Sequence, residues 1–181
     1  MIRIDRELLR QQAQLHGVPL DEQMLDCFEG TADMMVRWNE RINLTAITEP
    51  RDIVLKHFVD SLAIVKLLPQ KSFSLIDVGT GAGYPGIPLA IVLGNMRLTL
   101  LDSQDKRLVY IKELCRELKI EADIVHMRAE QAGHEKDMRQ AFDVAVARAV
   151  ANLPVLCELC LPLVCVGGKF IAMKGSEGHS E

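Results

Sequence analysis

The sequence predicts an α/β fold in which a mostly parallel, doubly wound sheet follows an all-helical N-terminal extension. Three observations support this prediction. No strand-like run occurs before residue 73, short apolar runs alternate with helix-length stretches after it, and a glycine-rich turn directly follows the first of these runs. Buried parallel strands are continuous apolar runs, and their alternation with helices indicates βαβ units. We therefore divide the chain into a helical extension, residues 1–70, and a doubly wound domain, residues 71–181.

Three helices are predicted in the extension. The first keeps apolar residues at helical spacing up to Leu15 and ends at Gly17-Val18-Pro19. The second, over 21–42, carries apolar side chains mostly three or four residues apart. The third, over 48–68, has Pro50 in its first turn, where proline is tolerated.

The second part of the chain alternates strands and helices. Apolar or β-branched runs predict five parallel strands, at 73–78, 97–101, 122–126, 142–147 and 169–173. Helical stretches are predicted between them, at 86–93, 104–118, 130–140 and 153–164. The rules that govern connections and handedness leave few topologies for this order of elements.

Composition and charge indicate an ordinary globular protein. Of the 181 residues, 49% are hydrophobic and 25% charged, and the net charge is −4, so any RNA contact must come from a local basic patch. No apolar run reaches the roughly 18 residues of a membrane span. We expect a monomeric protein of the cytoplasm with reduced thiols. No metal is expected, because Cys157 and Cys160 lack a second pair of ligands at a useful distance.

The first predicted strand ends in a glycine loop, Gly79-Thr80-Gly81-Ala82-Gly83. Glycines there allow positive φ and let a ligand lie against bare backbone, and ligands of doubly wound sheets bind beyond the carboxyl ends of the strands. Residues 81–86 formally match the dinucleotide pattern G-x-G-x-x-G, which is a weak indication by itself. A tight turn without a ligand is the alternative.

Two acids flank this loop at informative spacings. Asp77 precedes Gly79 by two residues, and a carboxylate there suits a ligand with an ammonium group but repels a pyrophosphate. Asp102 follows Gly83 by 19 residues and ends the second predicted strand, where an acid can hydrogen-bond a ribose diol. Both nicotinamide dinucleotides and S-adenosylmethionine carry that diol. Asp102 therefore indicates a nucleoside, and Asp77 favours S-adenosylmethionine.

Seven segments occur in one order and carry a family resemblance: WNERINLT (38–45), HFVDSL (57–62), DVGTGAGYPGIPLAI (77–91), LLDSQDKRLVYI (100–111), RAE (128–130), FDVAVARAVANL (142–153) and GGKFIAMKG (167–175). Together they resemble the bacterial small-subunit ribosomal RNA guanine-N7 methyltransferases, the glucose-inhibited division protein B family, over residues 24–175. The resemblance implies a Rossmann-like class I methyltransferase fold. It also implies methyl transfer from S-adenosylmethionine to N7 of a guanosine, with 16S rRNA or the small ribosomal subunit as the partner.

The resemblance also assigns cofactor-binding residues. Within the cofactor loop it singles out Gly79 and Tyr84, although the family often has Phe or Leu at the position of Tyr84. It then assigns Asp102 and Ser103 to the ribose, Ala129 and Glu130 to the adenine, and Arg148 to the closure of the site after the fourth strand. Together with the loop and its acid, the predicted cofactor-binding set is Asp77, Gly79, Gly81, Gly83, Tyr84, Asp102, Ser103, Ala129, Glu130 and Arg148.

The implied reaction makes few demands on side-chain chemistry. Guanine N7 carries an in-plane lone pair and no proton, so its attack requires alignment rather than a general base. After the fourth strand the chain has Arg148-Ala149-Val150-Ala151, which differs from the N-P-P-Y type of motif of exocyclic-amine methyltransferases. We predict that Arg148 is the catalytic residue and orients the guanine or the cofactor with its planar donor fork. A structural salt bridge is the alternative.

A small set of basic residues is predicted to contact RNA: Arg37, Arg41, Lys106, Arg107 and Lys174. Such phosphate contacts make RNA binding salt-dependent. Lys56 and His57 are further candidates near the first two. For the helix residues a solvated face is the alternative, and for His57 a capping or core role is favoured.

Three other functions are weighed against methyl transfer to rRNA. A nicotinamide oxidoreductase needs a hydride-acceptor site, and Asp77 would oppose its pyrophosphate. A non-catalytic RNA-binding module needs strong basic patches or exposed aromatic side chains, which five Phe, two Tyr and one Trp do not offer. A methyltransferase that acts on a protein or small molecule is the main alternative.

Class I methyltransferases normally have two strands after the fifth, so we expect a truncated chain that lacks its C-terminal strands.

Overall fold

A computed structural model describes residues 2–175, and its N-terminal part is helical as predicted. Helix α1 spans Arg6–Leu15 and helix α2 spans Glu22–Ile42. Each begins at an aspartate whose carboxylate accepts a hydrogen bond from a backbone N–H of the first turn. Such a cap satisfies one of the free donors at a helix start. Asn43 ends α2 in the left-handed conformation, with a φ of 47°.

The third predicted helix is present but is not uniform. It consists of α3 (Pro50–Asp52), a π-helix (Ile53–Val59) and α4 (Asp60–Leu62), and a 3-10 turn (Val65–Leu67) follows. Most residues of the π-helix are buried, including both His57 and Phe58. π-helical turns are rare in proteins, but those that occur often lie at functional sites. The spacing of apolar residues predicts a helix here but does not distinguish the π-helical form.

Within the described residues, five parallel strands form one sheet in the spatial order β3-β2-β1-β4-β5. The strands are β1 (Phe73–Val78), β2 (Met96–Asp102), β3 (Ala122–His126), β4 (Phe142–Arg148) and β5 (Val164–Met173). The helices between them are α5 (Gly86–Val92), α6 (Asp105–Leu118), α7 (Ala129–Ala132) and α8 (Leu153–Cys160). The chain runs outward from β1 to β3 and then returns to the other side of β1. This order confirms the predicted doubly wound fold.

The helix predicted over 130–140 is wrong beyond its first turn. Helix α7 ends at Ala132, and the residues that follow form turns. Gly133 lies against the connection that precedes β5, since a Cβ there would lie 3.1 Å from Pro162 Cβ. Arg139 Nη1 donates a hydrogen bond to the Gly133 carbonyl at 2.8 Å and holds the turns together. Tertiary contacts of the glycine therefore end the helix.

The fifth strand is longer than predicted. It begins at Val164 rather than at residue 169, and its register against β4 shifts between Phe142 and Val144. Gly168 lies at this irregularity, where a Cβ would lie only 2.7 Å from the Asp143 carbonyl oxygen. The first half of the strand was not predicted, because Gly167 and Gly168 interrupt its apolar residues.

Each face of the sheet has its own apolar core. The first core joins the sheet to α2, α5, α6 and the π-helix, and it includes Phe28, Phe58, Leu75, Leu100 and Tyr110. The second core lies under α7 and α8 and includes Ile76, Leu156 and Leu163. The helical extension and the sheet thus share one core, and the boundary at residue 70 stays a prediction. Among the helices of residues 2–175, we find none with the length and apolar composition of a membrane span.

Candidate functional site

Two adjoining cavities lie at the edge of the sheet where the parallel strands end. The larger, of about 420 Å³, lies between the glycine loop, residues 44–47 and the π-helix. The smaller, of about 240 Å³, lies beside the ends of β2 and β3. Gly79, Arg107 and Ala149 line both cavities, so the two form one cleft. Its position between β1, β2 and β4 is where doubly wound folds bind ligands.

Three glycines shape the loop that follows β1. Gly79, Gly81 and Gly83 have φ values of 73°, 57° and 92°, which other residues rarely adopt. Gly81 faces open space, since the nearest heavy atom to a Cβ there is the Gly79 carbonyl oxygen at 3.9 Å. A Cβ at Gly83 would instead lie 2.7 Å from Ile87 Cγ1. Gly79 and Gly81 therefore line the cleft, whereas Gly83 packs behind it.

Replacing Gly86 with alanine is expected to lower the free energy of unfolding by about 1–3 kcal/mol, the usual effect of an overpacked core. A Cβ at Gly86 would lie 2.6 Å from Leu100 Cδ2 and 2.9 Å from Asp77 Oδ2. Urea denaturation of the wild type and the variant measures the difference. Gly94→Ala is the matched control, because among residues 2–175 no heavy atom outside its chain neighbours lies within 4 Å of its Cβ position. Equal stability of the two variants would contradict this packing.

Asp77 lies behind the glycine loop and is fully buried. Its Oδ2 accepts hydrogen bonds from Thr80 Oγ1 at 2.8 Å and from the Gly86 N–H at 2.9 Å, whereas Oδ1 has no partner among the described residues. Burial raises the pKa of Asp77 to about 6, despite these hydrogen bonds. The carboxyl lines neither cavity, and the structure shows it holding both ends of the loop. Contact between Asp77 and a ligand stays a prediction.

Replacing Asp77 with asparagine is expected to change how stability depends on pH. The carboxyl has a pKa of about 6 in the folded protein, against 3.8 for an ordinary aspartate. The stability that its proton contributes is fully present below the lower value and is lost as the pH rises through the higher one. The wild type should therefore gain stability relative to Asp77→Asn as the pH falls through this window. Urea denaturation of both proteins at several pH values measures the difference, and a constant difference would contradict the raised pKa.

Asp102 connects the glycine loop to the smaller cavity. It is the last residue of β2 and is 3% exposed. Its Oδ2 accepts a hydrogen bond from the Gly81 N–H and its Oδ1 from the Gln104 N–H, both at 2.9 Å. Ser103, Ala129 and Glu130 line the same cavity, as the ends of neighbouring strands bring them together. The predicted nucleoside-binding residues are thus adjacent, although their contact with a ligand stays a prediction.

Arg148 joins the end of β4 to the π-helix. Its Nη1 donates to the Lys56 carbonyl at 2.9 Å and to Asp60 Oδ2 at 3.0 Å, and its Nη2 lies 3.0 Å from His57 Nδ1. The guanidinium also lies over the Tyr84 ring, 5.1 Å from its centroid. Much of the hydrogen-bonding capacity of the Arg148 guanidinium is therefore used within the protein. Arg148 lines the larger cavity and holds one of its walls in place.

His57 is part of this wall and is 5% exposed. Its ring stacks on Tyr84 with centroids 4.4 Å apart. Burial and the charge of Arg148 lower the pKa of His57 to about 4, so the ring is neutral near pH 7. Because a guanidinium can only donate, Nδ1 accepts and Nε2 carries the proton. The Tyr84 hydroxyl donates a hydrogen bond to Met35 Sδ at 3.2 Å. A tyrosine is therefore accommodated at this position, where the family often has Phe or Leu.

Residues 44–47 also line the larger cavity and were not predicted as site residues. Asn39 Oδ1 accepts a hydrogen bond from the Thr45 N–H at 2.9 Å, and Thr45 Oγ1 accepts one from the Ile47 N–H at 3.0 Å. Thr45 Oγ1 also lies 3.1 Å from His57 Nε2. The motif WNERINLT could have indicated these residues, because it contains the end of α2 and the start of the polar turn that follows.

The predicted RNA-binding residues do not form one group. Arg107 lines both cavities, and Lys174 lines a smaller cavity that adjoins the larger one at Arg148. Arg37, Arg41 and Lys106 are exposed and line neither cavity of the cleft. Contact with RNA stays a prediction for all five.

All five cysteines lie in the described part of the chain, and none of them forms a disulfide. No group of three or more His, Cys, Asp or Glu side chains there could hold a metal ion. The Cys157 and Cys160 side chains are free thiols. Burial raises the pKa of Cys160 to about 12, which keeps it protonated and unreactive.

Comparison with known proteins identifies close sequence relatives. The family described as rRNA small subunit methyltransferase G matches residues 24–181. A protein from Acetivibrio thermocellus named ribosomal RNA small subunit methyltransferase G is 48% identical over 172 residues, which cover 94% of this chain and 71% of that protein. A protein of the same name from Desulfitobacterium hafniense is 45% identical over 183 residues, which cover 100% of this chain and 76% of the relative.

Two solved structures with a similar fold are described as methyltransferases and have low sequence identity to this chain. A Methanococcus maripaludis protein described as S-adenosyl-L-methionine-dependent has a TM-score of 0.57 at 16% identity, and the match covers 77% of this chain and 61% of that one. A Plasmodium falciparum protein described as a protein-L-isoaspartate O-methyltransferase, in complex with S-adenosyl-L-homocysteine, has a TM-score of 0.56 at 19% identity. That match covers 97% and 86% of the two chains. These similarities confirm the Rossmann-like methyltransferase fold.

Proposed function

The chain belongs to the rRNA small subunit methyltransferase G family, and we propose that it transfers a methyl group from S-adenosylmethionine to N7 of a guanosine in 16S rRNA. One observation carries the proposal. The cleft at the strand ends has two adjoining cavities, one beside Asp102 and one beside Arg148. Under the proposal, the nucleoside of the cofactor would lie in the first and the base that is methylated in the second. We propose that the protein acts on the small ribosomal subunit or its rRNA, in the cytoplasm and as a monomer.

The residues of the cleft fit the cofactor. Gly81 leaves open space against bare backbone. Each oxygen of Asp102 accepts one backbone N–H, which leaves lone pairs for ribose hydroxyls. Asp102 would hold the ribose, Ala129 and Glu130 the adenine, and Gly79 and Gly81 the methionine part. When bound, S-adenosylmethionine supplies an electrophilic methyl group on its sulfonium.

The larger cavity offers no general base among its described residues, and the proposed reaction needs none. No carboxylate lines it, and the Nδ1 lone pair of His57 is occupied by Arg148. Guanine N7 already has a free lone pair, so the residues of the cavity need only exclude water and align the base. Alignment of this kind can contribute up to about 7–11 kcal/mol to the lowering of a barrier.

Arg148 contributes to the proposed reaction by orientation. N7 becomes positive as it is methylated, so a guanidinium beside it does not stabilise the developing charge. The hydrogen bonds of Arg148 to Lys56, Asp60 and His57 fix the wall against which the base would lie. Lys56 is exposed beside the larger cavity and is suited to contact phosphates. Arg107 lines both cavities with its Nη1 3.7 Å from Asp102 Oδ2, and its contact with RNA stays a prediction. RNA binding should weaken as salt rises.

The test is transfer of labelled methyl from S-adenosylmethionine to small ribosomal subunits that lack this modification, followed by digestion to nucleosides. We expect the label in 7-methylguanosine of 16S rRNA. Label in another nucleoside would overturn the N7 assignment. If S-adenosylhomocysteine binds but no label enters rRNA, a protein or small-molecule acceptor would replace rRNA as the substrate.

A further inference from the structure

The hydroxyl of Thr45 has a defined hydrogen-bonding role in the larger cavity. A threonine hydroxyl has two acceptor lone pairs and one proton to donate. The Ile47 N–H donates to Oγ1 at 3.0 Å, and His57 Nε2 lies 3.1 Å from the same oxygen. Once both lone pairs accept, the proton of Thr45 is the group that still needs a partner.

The direction of the His57–Thr45 hydrogen bond is fixed by Arg148. The Arg148 Nη2 group can only donate, so the His57 Nδ1 atom 3.0 Å away must accept. A neutral ring with an acceptor at Nδ1 carries its proton at Nε2. Burial of His57 and the charge of Arg148 disfavour the doubly protonated ring. The chain of hydrogen bonds therefore runs from Arg148 through His57 to Thr45, and Oγ1 is an acceptor in it.

Within residues 2–175, the Thr45 Oγ1 atom has hydrogen-bond partners in Ile47 and His57, and neither of them accepts its proton. Thr45 is half-buried and lines the larger cavity, where the guanine would lie under the proposed function. A ligand in this cavity that presents an acceptor to Thr45 would complete its hydrogen bonds. A ligand that presents a donor would meet a hydroxyl whose lone pairs are already used.

We propose that Thr45 determines the base specificity of the reaction by donating a hydrogen bond to O6 of the target guanine, with His57 and Arg148 as positioning residues. The inference rests on the proposed function. On the edge of the purine that carries N7, guanine presents the O6 acceptor whereas adenine presents an N6 amino donor. A fixed donor beside N7 therefore accepts guanine and rejects adenine.

The test compares two target bases in two proteins. Small subunits are reconstituted with 16S rRNA that carries either guanosine or 2-aminopurine riboside at the methylated position, which the labelling experiment maps. 2-Aminopurine keeps N7 but lacks O6. We expect Thr45→Val to reduce the preference for guanosine over 2-aminopurine by about tenfold, the upper range for a neutral hydrogen bond. Comparing one pair of bases in both proteins cancels any intrinsic difference in N7 reactivity.

The matched variants separate this role from a structural one. Thr45→Ser keeps the hydroxyl and should restore the preference, and Thr48→Val removes an exposed hydroxyl of the same loop and should leave it unchanged. Equal losses on both bases in Thr45→Val would overturn the inference, because a merely structural defect slows both reactions alike. Failure of the wild type to form any 7-methylguanosine would instead overturn the proposed function.

A wild-type measurement covers the case in which Thr45→Val does not fold. Its preference for guanosine over 2-aminopurine is divided by the preference of dimethyl sulfate for N7 of the same two bases. A corrected preference of about tenfold supports the hydrogen bond to O6, again the upper range for one neutral hydrogen bond. A corrected preference near one would overturn it.

Discussion

Replacing Arg148 with alanine is expected to reduce the turnover number for methyl transfer about 100-fold, a loss that a small misplacement of the reacting groups can cause. The variant loses the hydrogen bonds that hold Lys56, Asp60 and His57 against the end of β4. The wall of the larger cavity is then free to shift, and the tautomer of His57 is no longer fixed. Asp102 lies in the other cavity, so we expect the Kd for S-adenosylhomocysteine to change less than the turnover number.

The measurement is multiple-turnover methyl transfer at saturating cofactor and rRNA substrate, with binding followed by calorimetry. Arg116→Ala is the matched control, because Arg116 is exposed on α6 and lines neither cavity. Asp60→Asn tests whether Arg148 serves only as half of an ion pair. The Asp60 side chain is 48% exposed and that of Arg148 is 16% exposed, so solvent partly screens this ion pair. We therefore expect Asp60→Asn to reduce turnover less than Arg148→Ala does. Normal turnover in Arg148→Ala would contradict the positioning role.

The sheet could be predicted from the sequence because its central strands are buried on both faces. All six residues of β1 are buried, and four of them are apolar, with Ser74 and Asp77 between them. The apolar residues together with the glycine loop that follows mark the strand and its end in the sequence. β5 was predicted only in part, since Gly167 and Gly168 lie inside it and carry no apolar signal. The turns after α7 were predicted as helix because contacts between Gly133 and Pro162 are tertiary and leave no local pattern.

The residues of the candidate site that lie at strand ends could be predicted from the sequence. Those that come from the N-terminal helical extension could be predicted only in part. Gly79 and Asp102 follow β1 and end β2, and the geometry of a parallel sheet brings such positions together. Thr45 and His57 come from a loop and a π-helix that reach the cleft only because the extension packs onto the sheet. Apolar spacing placed His57 in a helix and favoured a capping or core role, but it contained no information about Arg148 as its partner.

Replacing Asp102 with alanine is expected to raise the Kd for S-adenosylhomocysteine about 100-fold, which equals about 2.7 kcal/mol. The carboxylate accepts the N–H groups of Gly81 and Gln104, and both donors lose their partner in the variant. A hydrogen bond to a charged group contributes about 1.5–3 kcal/mol, so loss of the loop contact and of the proposed ribose contact together accounts for this effect. Calorimetric titration with S-adenosylhomocysteine measures it.

Two variants determine whether this effect comes from the acceptor itself. Asp102→Asn keeps one carbonyl oxygen and should fall between the wild type and the alanine variant, since one N–H regains an acceptor and the other faces an amide donor. Asp105→Ala removes an exposed carboxylate at the start of α6 and should bind as the wild type does. Equal weakening by Asp105→Ala and Asp102→Ala would mean that general negative charge, rather than the end of β2, holds the nucleoside.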